Sequence, residues 1–194
     1  MTTASAVLFA ASQSASADPS IRAAIDAHYD ALWRFLRRMG VSDGHVEDAA
    51  QNVFVVFSRR ASSIEPAAVR SFLFGTAIRV ASDFRRRRGR VEMVDLGQVE
   101  ETAHPSPNAE QEVATRELRR LLDRVLDELP TELRAVFVLA ELDEMTKSET
   151  AELLGIPEGT VASRLRRARE LFAAKATALR PLFDDPLDAK EEGR

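Results

Sequence analysis

The sequence predicts an all-α protein of two small helical domains joined by a flexible acidic linker, with a helix-turn-helix in the second domain. Apolar residues recur at the three- and four-residue spacing of helices in two separate blocks of the chain. Leu, Ala, Arg and Glu are abundant, and only 8 of the 194 residues are glycine, a composition that favours helices. An acidic stretch containing Pro105 and Pro107 separates the two blocks and is therefore interpreted as a linker.

The composition is that of a globular chain, with 45% hydrophobic and 30% charged residues. The absence of cysteine excludes disulfides and thiolate metal sites and is compatible with the cytoplasm, where we expect the protein. Neither a signal peptide nor membrane insertion is expected. The apolar run at residues 7–11 is short and has no basic residue before it, and no run approaches the ~20 residues that span a bilayer.

The charge is distributed unevenly along the chain, although the net charge is only −4. Residues 70–90 contain seven arginines and one acidic residue, whereas residues 91–112 contain six acidic residues and no basic one. Residues 158–180 are basic again, with five arginines and Lys175 against two glutamates. Because phosphate groups respond to local patches of charge, two basic segments indicate a nucleic-acid partner.

The second basic segment carries a helix-turn-helix pattern. Thr146 and Glu149 form a capping-box pattern that starts a short helix, and Gly155 ends it. Pro157 and Gly159 are expected to shape the turn. A second helix follows, with an apolar stripe of Val161, Leu165, Ala168 and Phe172.

The opposite face of that second helix is polar and basic. At about 100° per residue, Thr160, Ser163, Arg167 and Glu170 point away from the stripe, with Arg164 and Arg166 on its flanks. In helix-turn-helix proteins the second helix enters the DNA major groove, where arginine can bind guanine through two hydrogen bonds. The alternative is an ordinary helical hairpin with a solvated arginine face.

Three helices are expected in the first block. The first runs from Ile21 to Met39 and ends at Gly40, the second is capped by Ser42, and the third opens at Pro66. His28 is expected to be packed or half-exposed, and not a metal ligand. The predicted inward positions of the second helix are Val46, Ala49, Ala50, Val53, Val56 and Phe57, and those of the third are Val69, Phe72, Leu73, Thr76, Ala77 and Val80.

Two supporting helices are expected before the helix-turn-helix. One covers residues 110–129, and the next is capped by Thr131 after the helix-breaking Pro130. Their predicted core positions are Val113, Leu118, Leu121, Leu122, Val125 and Leu126, followed by Leu133, Val136, Phe137, Leu139 and Ala140. The predicted organisation is a disordered tail (1–20), a first domain (21–90), the linker (91–112), a second domain (113–180) and an acidic tail (181–194).

Particular residues carry a resemblance to a known family. In the second block they are Leu129-Pro130, Arg134, Glu149-Thr150-Ala151, the run from Gly155 to Val161 and the run from Arg164 to Arg169. This combination resembles the extracytoplasmic-function (ECF) group of bacterial sigma factors. In the first block, the run from Glu47 to Phe54 resembles the family helix that docks on the clamp helices of RNA polymerase, although Asn52 stands where an acidic residue is more usual.

The resemblance implies that the chain binds core RNA polymerase, through the clamp helices of the β′ subunit and the β flap, and promoter DNA. An anti-sigma factor is a possible further partner, and no cofactor or metal is expected. The implied polymerase-binding residues are Asp48, Gln51, Asn52 and Phe54. The implied minus-10 residues are Arg59, Arg60, Ser62, Ser63, Arg79, Asp83, Arg85 and Arg86, with Arg79 standing where the family usually has asparagine. The implied minus-35 residues are Glu158, Thr160, Val161, Ser163, Arg164, Arg166 and Arg167.

Other classes of protein were weighed against this one. A response regulator shares the helix-turn-helix but needs an acceptor aspartate after a strand, and the first block has no alternating pattern. A free-standing helix-turn-helix regulator and a purely structural helical protein remain alternatives. An enzyme is not expected, because the chain has no nucleophile with a histidine partner and no glycine-rich phosphate loop. The acidic linker is a candidate competitor for the basic patches.

Overall fold

Helices make up most of the chain that the structure describes, and no strand occurs in it. The computed structural model describes residues 19–92, 118–119 and 121–179, with the side chains of all of these except 88–92 and 179. The first block comprises α1 (Pro19–Arg38), a 3-10 helix (Asp43–His45), α2 (Val46–Ser58), two further 3-10 helices (Ala61–Ser63 and Pro66–Ala68) and α3 (Val69–Glu92).

The second block carries the predicted helix-turn-helix. Its elements are α4 (residues 121–127), α5 (Thr131–Phe137) continuing as a π-helix (Val138–Leu142), α6 (Lys147–Leu154) and α7 (Glu158–Leu179). The all-α prediction is confirmed. The acidic tail, residues 93–112 of the proposed linker and all but Pro19 and Ser20 of the predicted N-terminal tail lie outside the described residues. These two residues are helical, and α3 runs two residues beyond the predicted end of the first domain.

Local signals in the first block were partly confirmed. Gly40 follows α1 with φ +93°, a left-handed conformation that glycine adopts without strain. Ser42, by contrast, does not cap α2, because the 3-10 helix Asp43–His45 comes between them. The Ser42 hydroxyl instead lies 2.9 Å from His45 Nδ1. His28 is partly buried as predicted, and burial, assisted by Arg70, lowers its pKa.

The inward face of α2 differs from the prediction by one position. Val56 is 37% exposed, whereas Phe54 is only 5% exposed and its ring stacks 6.4 Å from that of Tyr29. The buried arc of the helix is therefore occupied by Ala50, Val53, Phe54 and Phe57, which leaves Val56 outside it beside the exposed Val55. The predictions for α3 hold at Leu73, Thr76 and Ala77, and Phe74 and Ala81 are buried in addition.

The second block has two small apolar clusters of its own. One contains Leu126, Leu129, Phe137 and Ala168, with the ring of Phe137 stacked 4.7 Å from that of Phe172. The other contains Val136, Ala151, Val161 and Leu165. Two predictions here were wrong. Leu118 is 67% exposed, and Thr131 lies in the first turn of α5 because Pro130 takes the N-cap position.

The two blocks pack against each other, which the sequence did not predict. Ala135, Val138, Leu139 and Leu153 of the second block belong to the same buried cluster as the core of α1, α2 and α3. The charged side chain of Arg134 is fully buried beside them. Helix α3 contacts both α5 and α6. The closed arrangement is defined here as this packing of the second block onto the first.

Replacing Gly40 by alanine should destabilise the protein by about 1–3 kcal/mol, because a Cβ at φ +93° is strained. The new Cβ would also lie 3.0 Å from Arg134 Nη1 and 3.1 Å from Asp127 Oδ1. Gly44→Ala is the matched control, since a Cβ there meets nothing within 4 Å. Urea unfolding of both variants measures the difference, and equal midpoints would contradict the close approach at Gly40.

Candidate nucleic-acid and polymerase interfaces

The first helix of the helix-turn-helix, α6, starts at a complete capping box. The Glu149 N–H donates to Thr146 Oγ1 at 3.2 Å, and Glu149 Oε2 accepts from the Thr146 N–H at 2.8 Å. The side-chain hydrogen bond from Thr146, followed by the backbone one, lowers the pKa of Glu149. The predicted start of this helix is therefore confirmed, and two otherwise unpaired backbone donors are satisfied.

The turn between α6 and α7 depends on Gly155. This residue has φ +63° and ψ +37°, and the Ile156 N–H donates to the Ala151 carbonyl at 3.1 Å. Such a left-handed glycine closes a helix C-terminus and redirects the chain. Gly159, which was expected to shape the turn, instead lies in the first turn of α7 and has no positive φ.

A buried stripe seats α7 on the second block. Val161, Leu165 and Ala168 are at most 4% exposed, as the helical spacing predicted. Val161 packs against Val136 and Ala151 and is completely buried. In this structure its side chain is therefore placed to support α7 from within and is not presented at the surface that would meet a base edge.

The opposite face of α7 is open to solvent. Glu158, Ser163, Arg166 and Arg167 are exposed, and Thr160 and Arg164 are partly exposed. Arg166 and Arg167 both pair with Glu170, at 3.2 and 3.4 Å. Exposed ion pairs of this kind contribute about 0–1 kcal/mol, so the guanidinium groups can exchange Glu170 for a base or a phosphate at little cost.

The turn between α2 and α3 presents the first group of predicted minus-10 residues. Ala61 and Ile64 pack onto the first-block core, whereas Arg59, Arg60, Ser62 and Ser63 are exposed. The Ser63 hydroxyl donates to the Arg60 carbonyl at 2.8 Å. The two inward residues thus hold the backbone of the turn in place and direct its polar side chains outward.

The second group of predicted minus-10 residues, on α3, is not presented uniformly. Arg79, Asp83 and Arg86 are exposed, and Asp83 forms an ion pair with Arg86. Arg85 is half-buried because its guanidinium contacts the second block. Only three of these four side chains are therefore open to DNA in the closed arrangement.

The residues predicted to bind polymerase are also partly exposed and partly buried. Asp48, Gln51 and Asn52 are exposed on α2, whereas Phe54 is buried against Tyr29 and supports the helix from within. Of the four predicted polymerase-binding residues, Phe54 is thus the one that this structure does not present at the surface.

A recess lies next to the exposed face of α2. It is lined by Tyr29, Asp30, Trp33, Arg34 and Glu47. The Tyr29 hydroxyl is buried and has no hydrogen-bond partner within the described residues. Burial, followed by the nearby carboxylates of Glu47 and Asp30, raises its pKa. The hydroxyl therefore stays protonated and can donate to an acceptor that enters the recess.

The burial of Arg134 between the two blocks was not predicted from the sequence. Its Nε donates to the Arg38 carbonyl at 2.7 Å, and its Nη1 lies 2.5 Å from Asp127 Oδ1. The available signal was a single charged residue at the start of the apolar run from Leu133 to Ala140. A charge in such a run indicates either a surface position or a buried, paired group, and spacing alone does not distinguish them.

In the described part of the chain, no group of three or more His, Cys, Asp or Glu side chains is arranged to hold a metal ion. No helix is long and apolar enough to cross a membrane within the described residues, which are 19–92, 118–119 and 121–179.

Comparison with known proteins identifies the class. The family model of Sigma-70 region 2 matches residues 24–91, and that of Sigma-70 region 4 matches residues 119–172. The chain is 31% identical to the ECF RNA polymerase sigma factor SigE of Mycolicibacterium smegmatis over 164 residues, which are 84% of this chain and 64% of that protein. It is 30% identical to the ECF RNA polymerase sigma-E factor of Escherichia coli K12 over 148 residues, which are 72% of this chain and 78% of that protein.

The chain therefore belongs to the ECF RNA polymerase sigma factors, a class that directs promoter-specific transcription initiation. Solved structures confirm the fold. CnrH in complex with the cytosolic domain of CnrY gives a TM-score of 0.59 at 24% identity and covers 89% of this chain and 97% of that one. The sigma factor RpoE in complex with the anti-sigma factor NepR from Bartonella quintana gives 0.54 at 21% identity, with 79% and 94% covered.

Replacing Thr146 by alanine should destabilise the protein by about 1 kcal/mol near neutral pH, because the N-cap bond of α6 is lost. The effect should shrink in acid. The pKa of Glu149 is lowered from 4.5, so its bonds to Thr146 stabilise the fold above that value and are lost as the pH falls through the folded pKa. Urea unfolding across this range measures the effect. Ser148→Ala, at an exposed position of the same helix, is the control; a pH-independent difference would contradict the reciprocal bond.

Proposed function

We propose that the protein binds core RNA polymerase and directs it to promoters by recognising both a minus-10 and a minus-35 element. The observation that carries this proposal is the open face of α7, presented by a capped and rigidly seated helix-turn-helix in a chain of the sigma class. The mechanism needs no covalent chemistry from the chain, because it consists of binding two DNA elements and stabilising an opened duplex.

Minus-35 recognition is assigned to the front of α7. Six residues form the proposed set: Glu158, Thr160, Ser163, Arg164, Arg166 and Arg167. In a major groove, arginine recognises guanine through two parallel hydrogen bonds, while hydroxyl groups reach bases or phosphates. The support of α7 by Val161 and Leu165 keeps these side chains in a fixed register relative to the groove.

Minus-10 opening is assigned to the turn between α2 and α3 together with the exposed part of α3. Extruding a base from the duplex costs a few kcal/mol, which a pocket and phosphate contacts must offset. Arg59, Arg60, Ser62 and Ser63 offer cationic and hydroxyl groups on a turn anchored by Ala61 and Ile64. Arg79, Asp83 and Arg86 extend this surface along α3.

Polymerase binding is assigned to the exposed side of α2. Asp48, Gln51 and Asn52 would contact the clamp helices of the β′ subunit, and the second domain would contact the β flap. The recess beside α2 supports this assignment, because it contains Trp33, a residue type enriched at protein interfaces, and an unpaired Tyr29 hydroxyl. Since polymerase and promoter DNA are cytoplasmic in bacteria, the protein is proposed to act there.

An anti-sigma factor is a further proposed partner. Two solved structures that resemble this chain were determined as complexes: the sigma factor RpoE with the anti-sigma factor NepR, and CnrH with the cytosolic domain of CnrY. Co-purification of the full chain from its own cells, under conditions in which its promoters are silent, tests this proposal.

The decisive experiment is transcription in vitro. Core RNA polymerase and a fragmented genomic template are incubated with and without the protein, and start sites are mapped. New start sites that require both components, with shared upstream elements, would establish the proposed function. Salt-dependent DNA binding by the protein alone, without new transcripts, would instead establish a free-standing helix-turn-helix regulator.

Arg167→Ala should weaken binding to the preferred minus-35 sequence by about 1–3 kcal/mol if Arg167 contacts a base. Arg167→Lys keeps the charge but loses the planar pair of donors, so it should lose discrimination between sequences and retain non-specific affinity. Competition binding with matched and mismatched duplexes measures both quantities. Equal losses on every duplex would assign Arg167 to a phosphate.

Asp48→Arg should abolish binding to core polymerase while the helical content and unfolding midpoint stay near those of the parent. The reversed charge meets a surface that is complementary to a carboxylate. Asp26→Arg is the matched control, because Asp26 is an exposed carboxylate on α1 of the same domain. Pull-down with core polymerase gives the readout, and retained binding by the Asp48 variant would refute the assigned face.

A further inference from the structure

Arg85 joins the two blocks through three hydrogen bonds. Its Nη2 donates to the carbonyls of Asp127 at 2.7 Å and Leu129 at 3.1 Å, and its Nη1 donates to Thr131 Oγ1 at 3.5 Å. The Asp127 carbonyl is at the C-terminal end of α4 and the Leu129 carbonyl is in the turn that follows it. Carbonyls at a helix C-terminus lack partners within the helix, and the helix dipole favours a cation there. The guanidinium of α3 therefore acts as a C-terminal cap for a helix in the other block.

A second guanidinium makes the reciprocal contact. Arg134 of the second block donates to the Arg38 carbonyl at the end of α1 and is held by Asp127, whose own carbonyl binds Arg85. Asp127 thus connects both cross-block contacts. At the rim, Arg38 forms an ion pair with Asp143 of the second block, each side chain being about one-third exposed.

The apolar part of the same interface is well packed. Ala135, Val138, Leu139 and Leu153 are at most 3% exposed and lie in the cluster built by the first block. Removing apolar surface from water is favourable, so the polar contacts act on an interface that packing already stabilises. Separating the blocks would expose these four side chains and leave Arg134 without the Arg38 carbonyl.

The contacts of Arg85 conflict with the minus-10 role that the family resemblance implies for it. It lies among Arg79 and Arg86, which are exposed, yet its donors are directed at the second block. A guanidinium grips a phosphate through two parallel N–H donors on one edge. An edge already bonded to two carbonyls cannot bind a phosphate in this way at the same time.

We propose that Arg85 is an exchangeable latch. In the free chain it holds the closed arrangement, and at the promoter it releases the carbonyls of Asp127 and Leu129 and binds DNA phosphates. The proposal rests on the proposed DNA-binding function. By linkage, closure lowers the affinity for DNA, and DNA opens the chain by the same factor. The closed arrangement is therefore a self-inhibited state.

Closure can be measured directly, because the chain has no cysteine to interfere with labelling. Cysteines introduced at the exposed Ala23 on α1 and Ala174 near the end of α7 would carry a donor and an acceptor dye. Arg85→Lys keeps the charge but loses the forked contact with two carbonyls, so the ratio of open to closed molecules should rise about tenfold. Arg70→Lys, at an exposed position on the same helix, should leave energy transfer unchanged.

A charge swap at the rim distinguishes the effect of opening on DNA affinity from the effect of a changed net charge. Arg38→Asp and Asp143→Arg change the net charge in opposite directions, yet each removes the same ion pair and should open the chain. The double variant Arg38→Asp/Asp143→Arg restores both the pair and the net charge and should close it again. Neither position belongs to the proposed DNA-binding or polymerase-binding sets.

DNA binding then decides the inference. With mixed-sequence duplex DNA, both single variants should bind several-fold more tightly than the double variant, and DNA should lower energy transfer in the parent chain. The latch proposal would be overturned if the open single variants bound DNA no more tightly than the double variant. It would also be overturned if DNA binding left energy transfer in the parent chain unchanged. A chain that opens as described but starts no transcript with core polymerase would instead count against the proposed function.

Discussion

The buried guanidinium of Arg134 is the constraint on which the closed structure depends. A charge taken out of water must be paired and hydrogen-bonded, and removal of one partner is far more costly than removal of an exposed ion pair. Asp127 supplies the opposite charge, and the Arg38 carbonyl supplies an acceptor at the end of α1. Gly40 lets the backbone turn away beside this group. One side chain thus links the ends of α1 and α4 and the start of α5.

Around this centre, the molecule separates structural side chains from those available for binding. Helix α7 is held by a buried stripe and presents Arg166 and Arg167, which pair with the exposed Glu170. The turn after α2 follows the same design, with Ala61 and Ile64 inward and its arginines and serines outward. A fixed backbone with loosely paired polar side chains suits a protein that must recognise DNA and release it, since little free energy is lost when Glu170 is exchanged for a phosphate.

Some predictions that depend on neighbouring residues succeeded, although the caps assigned to Ser42 and Thr131 did not. The capping box at Thr146 and Glu149 and the left-handed glycines at 40 and 155 are each determined within one helical turn. The family resemblance assigned Phe54 and Val161 to binding surfaces, yet both side chains are buried. Helical spacing correctly placed Val161 in the apolar stripe of α7, whereas it put Val56 instead of Phe54 on the inward face of α2. Arg85 was assigned to the minus-10 residues, and nothing in the sequence indicated that its guanidinium contacts a carbonyl 42 residues away along the chain.

The sequence by itself determined the helical class, the helix-turn-helix and its caps, and the basic character of both candidate DNA surfaces. These features follow from hydrogen bonds between close neighbours, from helical periodicity and from local charge. Only the tertiary structure decided that the two domains share one buried cluster, that Arg134 is inside it and that Arg85 closes it. Those outcomes depend on contacts between residues that are distant in sequence. From the sequence alone, an arginine fits equally well as a solvated charge, a phosphate ligand or a helix cap.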